Sequence, residues 1–185
     1  MSGIFNFLIF VLVVIIVISF IRQPNKEYHS HWSQLLPNFK FSTLEFYELV
    51  KKELSSHEIE NLKFEEASIT TGSIVSSKRL YLRIRWQDYF YDLCFAPFGD
   101  GCFVSWWLMY ETSPNEEFFT KLPFIGGWIG RAFFRKTYYK IDTASMFMTY
   151  SHHSVLAVID EITKSSGIRL SEDQRKPNLN DIFKR

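Results

Sequence analysis

The sequence predicts an α+β fold. An N-terminal transmembrane helix is followed by one domain, in which a three- to five-stranded antiparallel sheet packs against an N-terminal helix and a long C-terminal helix. Three observations carry this reading. Residues Ile4 to Ile21 form an apolar run of eighteen residues, broken only by Asn6 and Ser19. Arg79, Tyr81, Arg83 and Arg85 alternate with Leu80, Leu82, Ile84 and Trp86, the period of a strand with two unlike faces. Residues 142–166 place Phe147, Met148, Val155, Leu156, Ile159 and Ile162 on one stripe at helical spacing.

The apolar run reaches about 27 Å as a helix at ~1.5 Å per residue, close to the ~30 Å hydrocarbon core of a bilayer. It has no basic residue before it and no A-x-A-like pair before Arg22, so it reads as a retained single-pass anchor over 1–21 rather than a cleaved signal. Arg22, Lys26 and Lys40 follow it, and by the positive-inside rule the N-terminus lies outside and the domain in the cytoplasm, at the cell membrane.

All of the 21 Lys and Arg and 20 Asp and Glu residues fall after residue 21, so the rest of the chain has the charge of an ordinary globular domain. A net charge of +1 argues against a bulk nucleic-acid binder. Cys94 and Cys102 are expected to be free thiols, too few for a structural zinc site, and no cofactor is expected. Five Trp, nine Tyr and 19 Phe are a heavy aromatic load, which points to contact with lipid or a partner.

Residues 22–40 read as a polar juxtamembrane linker in which Tyr28 and Trp32 sit at headgroup level. The His29-x-His31 pair has no carboxylate or thiol nearby in sequence to complete a metal site. The domain proper is expected over 41–170. Its first helix starts at a capping box, Ser42-Thr-Leu-Glu45, flanked by Phe41 and Phe46 as a hydrophobic staple, and ends near Ser55-Ser56. Phe46, Leu49, Val50 and Leu54 form its packing face.

Leu62, Phe64 and Ile69 suggest a first strand. The alternating strand from Arg79 then turns at Gln87-Asp88, and the returning strand sets Arg83 opposite Asp92, Leu82 opposite Leu93, and Leu80 opposite Phe95. Charge and apolar pairs agree on this one register. Pro97 to Gly101 reads as a five-residue loop before a third strand, Cys102 to Tyr110, which is apolar on both faces as a central strand is. That loop length places Trp106 beside Asp92. The sharpest candidate site is therefore one sheet face carrying Arg79, Arg83, Arg85, Asp92 and Trp106. Guanidinium groups beside an aromatic ring suit a phosphate, a lipid headgroup or an acidic segment. The plainer alternative is an Arg83–Asp92 cross-strand pair with arginine stems lying along aromatic rings.

Phe118 to Phe134 is almost wholly apolar, with Pro123 and Gly126-Gly127 interrupting it and Lys121, Arg131, Arg135 and Lys136 along or beside it. It reads as a buried loop and short helix, an interfacial element, or a docking surface for a partner. Phe118, Phe119, Phe124, Ile125, Trp128, Ile129, Arg131, Phe133 and Phe134 are its candidate contacts with membrane or partner. The long helix is expected from Asp142 or Thr143 to Ser166, closed by Gly167, with one of His152 and His153 turned inward. Residues 171–185 read as a polar tail with one helical turn at Ser171-Glu-Asp-Gln174.

The sequence holds no G-x-S-x-G, H-E-x-x-H, G-x-G-x-x-G or Cys-x-x-Cys pattern. The function it suggests is a membrane-anchored, non-enzymatic binding or assembly module, with the lipid bilayer and a protein partner or a second copy of the chain as its contacts. The alternative is a membrane-associated enzyme or effector acting on a charged small molecule or lipid headgroup through Arg83, Arg85 and Asp92.

Overall fold

The computed structural model describes residues 7, 9–12, 26–69, 79–111 and 138–179. The chain divides into two compact units, Met1–Glu27 with Glu111–Thr137, and Tyr28–Tyr110 with Tyr138–Arg185. In the first unit Phe7 and Ile9 to Leu12 are helical, with Phe7, Ile9, Phe10 and Leu12 exposed. No helix among the described residues is long and apolar enough to cross a membrane. The rest of the Ile4–Ile21 run lies outside those residues.

The second unit is an α+β domain. Its elements run β1 (Lys26–Leu36), α1 (Thr43–Ser55), β2 (Lys63–Ile69), β3 (Arg79–Trp86), β4 (Tyr89–Phe98), β5 (Gly101–Glu111), α2 (Tyr138–Thr163), α3 (Glu172–Arg175) and β6 (Asn178–Leu179). The strands form one six-stranded antiparallel sheet in the order β2-β3-β4-β5-β1-β6. The sheet thus exceeds the expected three to five strands, because two segments read as linker and tail join it. In β1, Ser30, Trp32 and Leu36 are buried at alternate positions, a strand period that the intervening His31, Ser33 and Gln34 hide. Trp32 is accordingly a core residue, not a headgroup anchor. β6 is two residues long and pairs Leu179 with Ser30 and Asn178 with His31.

Helix α1 begins where the capping box predicts. Ser42 is the N-cap, and its hydroxyl accepts from the Glu45 N–H at 3.4 Å. Phe46, Tyr47, Val50 and Leu54 are buried, each such side chain stabilising the fold by roughly 1.5–3 kcal/mol. Phe46 stacks on Phe95 with ring centroids 4.2 Å apart, and Phe41 meets the same ring edge-on. The Tyr47 hydroxyl enters the β3–β4 ladder, donating to Leu80 O at 2.8 Å and accepting from the Phe95 N–H at 3.1 Å. It stands between the Leu80 and Phe95 backbones that the hairpin register sets opposite each other, and the paired ladder begins at Tyr81–Cys94. Burial raises the Tyr47 pKa well above that of a free tyrosine, so the hydroxyl keeps the proton it donates.

Helix α2 starts at Tyr138, four residues before the expected cap. Thr143 lies inside the helix, donating its hydroxyl to Tyr139 O, and so caps nothing. Phe147 packs against Trp86 and Tyr91 of the sheet. A short 3-10 turn, Lys164–Ser166, ends at Gly167 with φ +69°, the left-handed closure predicted for that glycine. Both helices cover the sheet face carrying Leu82, Ile84, Tyr91, Leu93, Phe95 and Trp106, and one core cluster joins them.

Candidate functional site

The hairpin places the predicted arginine face. Arg83 lies opposite Asp92 and Arg85 opposite Phe90, while β2 sets Glu65 opposite Arg83 on the other flank. These residues alternate with the helix-covered ones and share the outer face of the sheet. Arg83 Nε donates to Asp92 Oδ1 at 2.6 Å and Nη2 to Oδ2 at 2.7 Å, a bidentate fork. The side chains are 14% and 9% exposed, so little water screens the pair. Beneath it Phe90 is buried, with the Arg83 guanidinium 4.7 Å and the Arg85 guanidinium 5.5 Å from its ring centroid. Arg85 also donates to Glu65 at 3.4 Å. Arg83, Arg85 and Phe90 make further interactions besides these.

Two of the predicted site residues stand elsewhere. Arg79 is exposed at the start of β3, four residues from Arg83 and so about 13 Å along the strand at ~3.3 Å per residue. Trp106 faces the opposite way. β4 and β5 are joined by a two-residue turn, Gly99-Asp100, with Gly99 at φ +62°, rather than by five residues. The register is therefore Leu93 with Trp106 and Asp92 with Trp107. A one-residue difference in register exchanges the faces. Trp106 is buried under α2, stacked on Tyr91 at 4.8 Å.

Trp107 takes the place beside Asp92 and is 43% exposed. It stacks on His31 with centroids 4.8 Å apart and planes 14° from parallel, and Tyr28 meets it edge-on at 5.8 Å. Tyr28 and His31 are themselves hydrogen-bonded, hydroxyl to Nδ1, at 2.7 Å. By alternation Leu35 of β1 and Phe98 of β4 share this outer face, and both are exposed. Sequence reasoning missed Glu65, Trp107, Tyr28 and His31 as members of one surface. A two-residue reading of Gly99-Asp100 finds Trp107, and the Lys63, Glu65 alternation on β2 finds Glu65. The Phe118–Phe134 contacts lie outside the described residues.

The face also carries a thiol. It belongs to Cys94, which is buried, and burial pushes its pKa up, away from the thiolate a nucleophile needs. Among the described residues no three His, Cys, Asp or Glu side chains gather as a metal site. Comparison with protein-family models, curated proteins and solved structures gives no match. The functional reading therefore stands on the geometry. Arg83 and Asp92 form a mostly buried pair, and the exposed part of the face carries Trp107, Phe98 and Leu35.

Proposed function

We propose that this chain is a membrane-anchored, non-enzymatic binding module that docks a protein partner through the outer face of its sheet. The observation that carries the reading is the Tyr28–His31–Trp107 stack, half-buried but for its exposed Trp107, beside the Arg83–Asp92 pair. Aromatic rings that are held rigid lose little entropy on docking and contribute much of the energy of protein interfaces. The Ile4–Ile21 run supplies the anchor in this reading, with the exposed Phe7, Phe10 and Leu12 side chains suited to lipid, and the cations after it set the domain on the cytoplasmic side. The apolar Phe118 to Phe134 segment adds a second contact with membrane or partner in this reading. An anionic small molecule or headgroup is the weaker reading, since Arg83 commits two donors to Asp92.

Affinity purification of the detergent-solubilised full-length protein tests the proposal, comparing the wild type with a His31→Ala/Trp107→Ala variant. A stoichiometric protein that the variant loses is the expected result. If nothing co-purifies, or the variant retains it in full, the outer face is not the docking surface. Binding to anionic vesicles that depends on Arg79 and Arg85 but not on Trp107 would favour the headgroup reading instead.

A further inference from the structure

The last stretch of the domain is fastened at its backbone by two buried side chains from other elements. The Trp32 indole N–H of β1 donates to Gln174 O at 2.6 Å, and His152 Nε2 of α2 donates to Arg175 O at 2.6 Å. The other ring nitrogen, His152 Nδ1, accepts the Trp106 indole N–H at 3.0 Å. A carbonyl oxygen only accepts and an indole N–H only donates, so these partners fix His152 as the neutral Nε2–H tautomer. Nδ1 has no room for a second proton while Trp106 points at it. The ring lies between the edges of Trp32 and Trp106, each 5.3 Å away, and is 4% exposed.

We propose that residues Ser171–Leu179 form a detachable strap latched by neutral His152, and that mild acidification, by protonating the imidazole at Nδ1, frees the strap and uncovers the β1 edge at Ser30 and His31. The Arg175 carbonyl favours the charged ring, a stronger donor to it, but burial and the other groups facing His152 outweigh that bond. His153 on its own helix and Arg175 on the strap oppose a new positive charge, while Asp160 is already engaged by the Arg175 guanidinium at 2.6 and 3.0 Å. Glu172 and Lys176 line the same shallow cleft and offset each other. Trp32 and Trp106 bring only N–H donors. Burial, the largest cause, accordingly lowers the His152 pKa below its usual 6.5. The latch is then intact above about pH 6.5 and is lost as pH falls through the lowered value.

What holds the strap apart from the latch is modest. Its remaining contacts are the Trp32 indole bond to Gln174 O, the Arg175–Asp160 pair, the half-exposed carboxylate of which leaves it screened, the buried Leu170 at its root, and the two-residue β6 pairing. Losing the latch therefore frees the strap before the core. The released edge of β1 would offer unpaired backbone groups to another strand.

Hydrogen exchange of residues 171–179 in the full-length protein in detergent micelles tests this, corrected for the intrinsic rate at each pH. One-proton linkage predicts that protection falls between pH 7 and pH 5 by at least a few-fold, with a ceiling of ~25-fold, and the centre of α2 unchanged. In His152→Gln the amide donates to Arg175 O and accepts from Trp106 but takes no proton, so its protection should not depend on pH. Wild-type protection that is flat, or that falls equally in His152→Gln, overturns the proposal. In the second case His31, 3.4 Å from Asn178 on the same edge, is the group to replace. Should His152→Gln fail to fold, the wild-type titration still decides: the His152 imidazole and the Trp106 indole resonances must share one midpoint, and separate midpoints refute the latch.

Discussion

Replacing Tyr47 with phenylalanine removes one oxygen atom from the fold and leaves the ring that fills the core. That oxygen serves two strands at once, donating to Leu80 O and accepting from the buried Phe95 N–H. Each bond stabilises by roughly 0.5–1.5 kcal/mol net, and a buried amide left without an acceptor costs a further ~1–3 kcal/mol. The expected loss is therefore about 2–6 kcal/mol. At a urea dependence of ~2 kcal/mol per molar, the middle of the ordinary range, the unfolding midpoint should fall by about 1–3 M with its slope unchanged. Urea titration of the full-length protein in a non-ionic detergent, followed by tryptophan fluorescence, measures this. The exchange rate of the Phe95 amide gives a local readout and should rise more than those of Leu82 or Leu93. A loss below ~0.5 kcal/mol, with Phe95 still protected, would refute the reasoning. It would mean that β3 and β4 close on each other directly once the hydroxyl is gone, and that the tyrosine is a guest in the ladder rather than a part of it.

The opposite sign is expected at Tyr91, whose hydroxyl is fully buried and makes no hydrogen bond among the described residues. Tyr91→Phe should leave stability unchanged or raise it by up to ~1 kcal/mol in the same titration, and a clear loss would show that the hydroxyl has a partner. Asp92→Asn should destabilise by about 2–4 kcal/mol, because it removes the carboxylate charge that faces the mostly buried Arg83 guanidinium, and Arg83→Met added to it should recover most of that loss in a double-mutant cycle. Gly101→Ala should cost about 1–3 kcal/mol in thermal or urea unfolding, since its new Cβ would press on Leu36 O with Leu36 C and Pro37 Cα 3.2 Å away. Wild-type stability there would mean that β1 and β5 separate easily.

How much of this architecture the sequence discloses varies strand by strand. The β3–β4 register is legible because two independent patterns, the Arg83–Asp92 charges and the Leu82–Leu93 apolar pair, allow only one alignment. β5 has no such pattern. Apolar on both faces, it accepts either parity, so the whole decision falls on the turn, and Gly99-Asp100 had to be read as two residues to set it. The arginine face was recognisable but its tryptophan was not, for the same reason. β1 escapes notice because its buried Ser30 is polar and His31, Ser33 and Gln34 surround Trp32, and β6 is too short to have a pattern at all. The inward turn of one of the paired histidines was readable from helical spacing. What His152 would meet there was not, since its partners are carbonyls 23 residues on and an indole 46 residues back.

The position of β1 has a consequence for how the chain reaches this state. β2 to β5 form a run of neighbours in sequence order, each closed by local contacts, whereas β1 precedes them all yet sits between β5 and β6. During synthesis Trp32 leaves the ribosome early, and the carbonyl its indole binds follows 142 residues later. The first strand of the domain is thus an orphan until the rest is made, and its insertion is the high-contact-order step that should limit the folding rate. Refolding from denaturant should then show the β3–β4 hairpin protected before Trp32 is quenched from solvent.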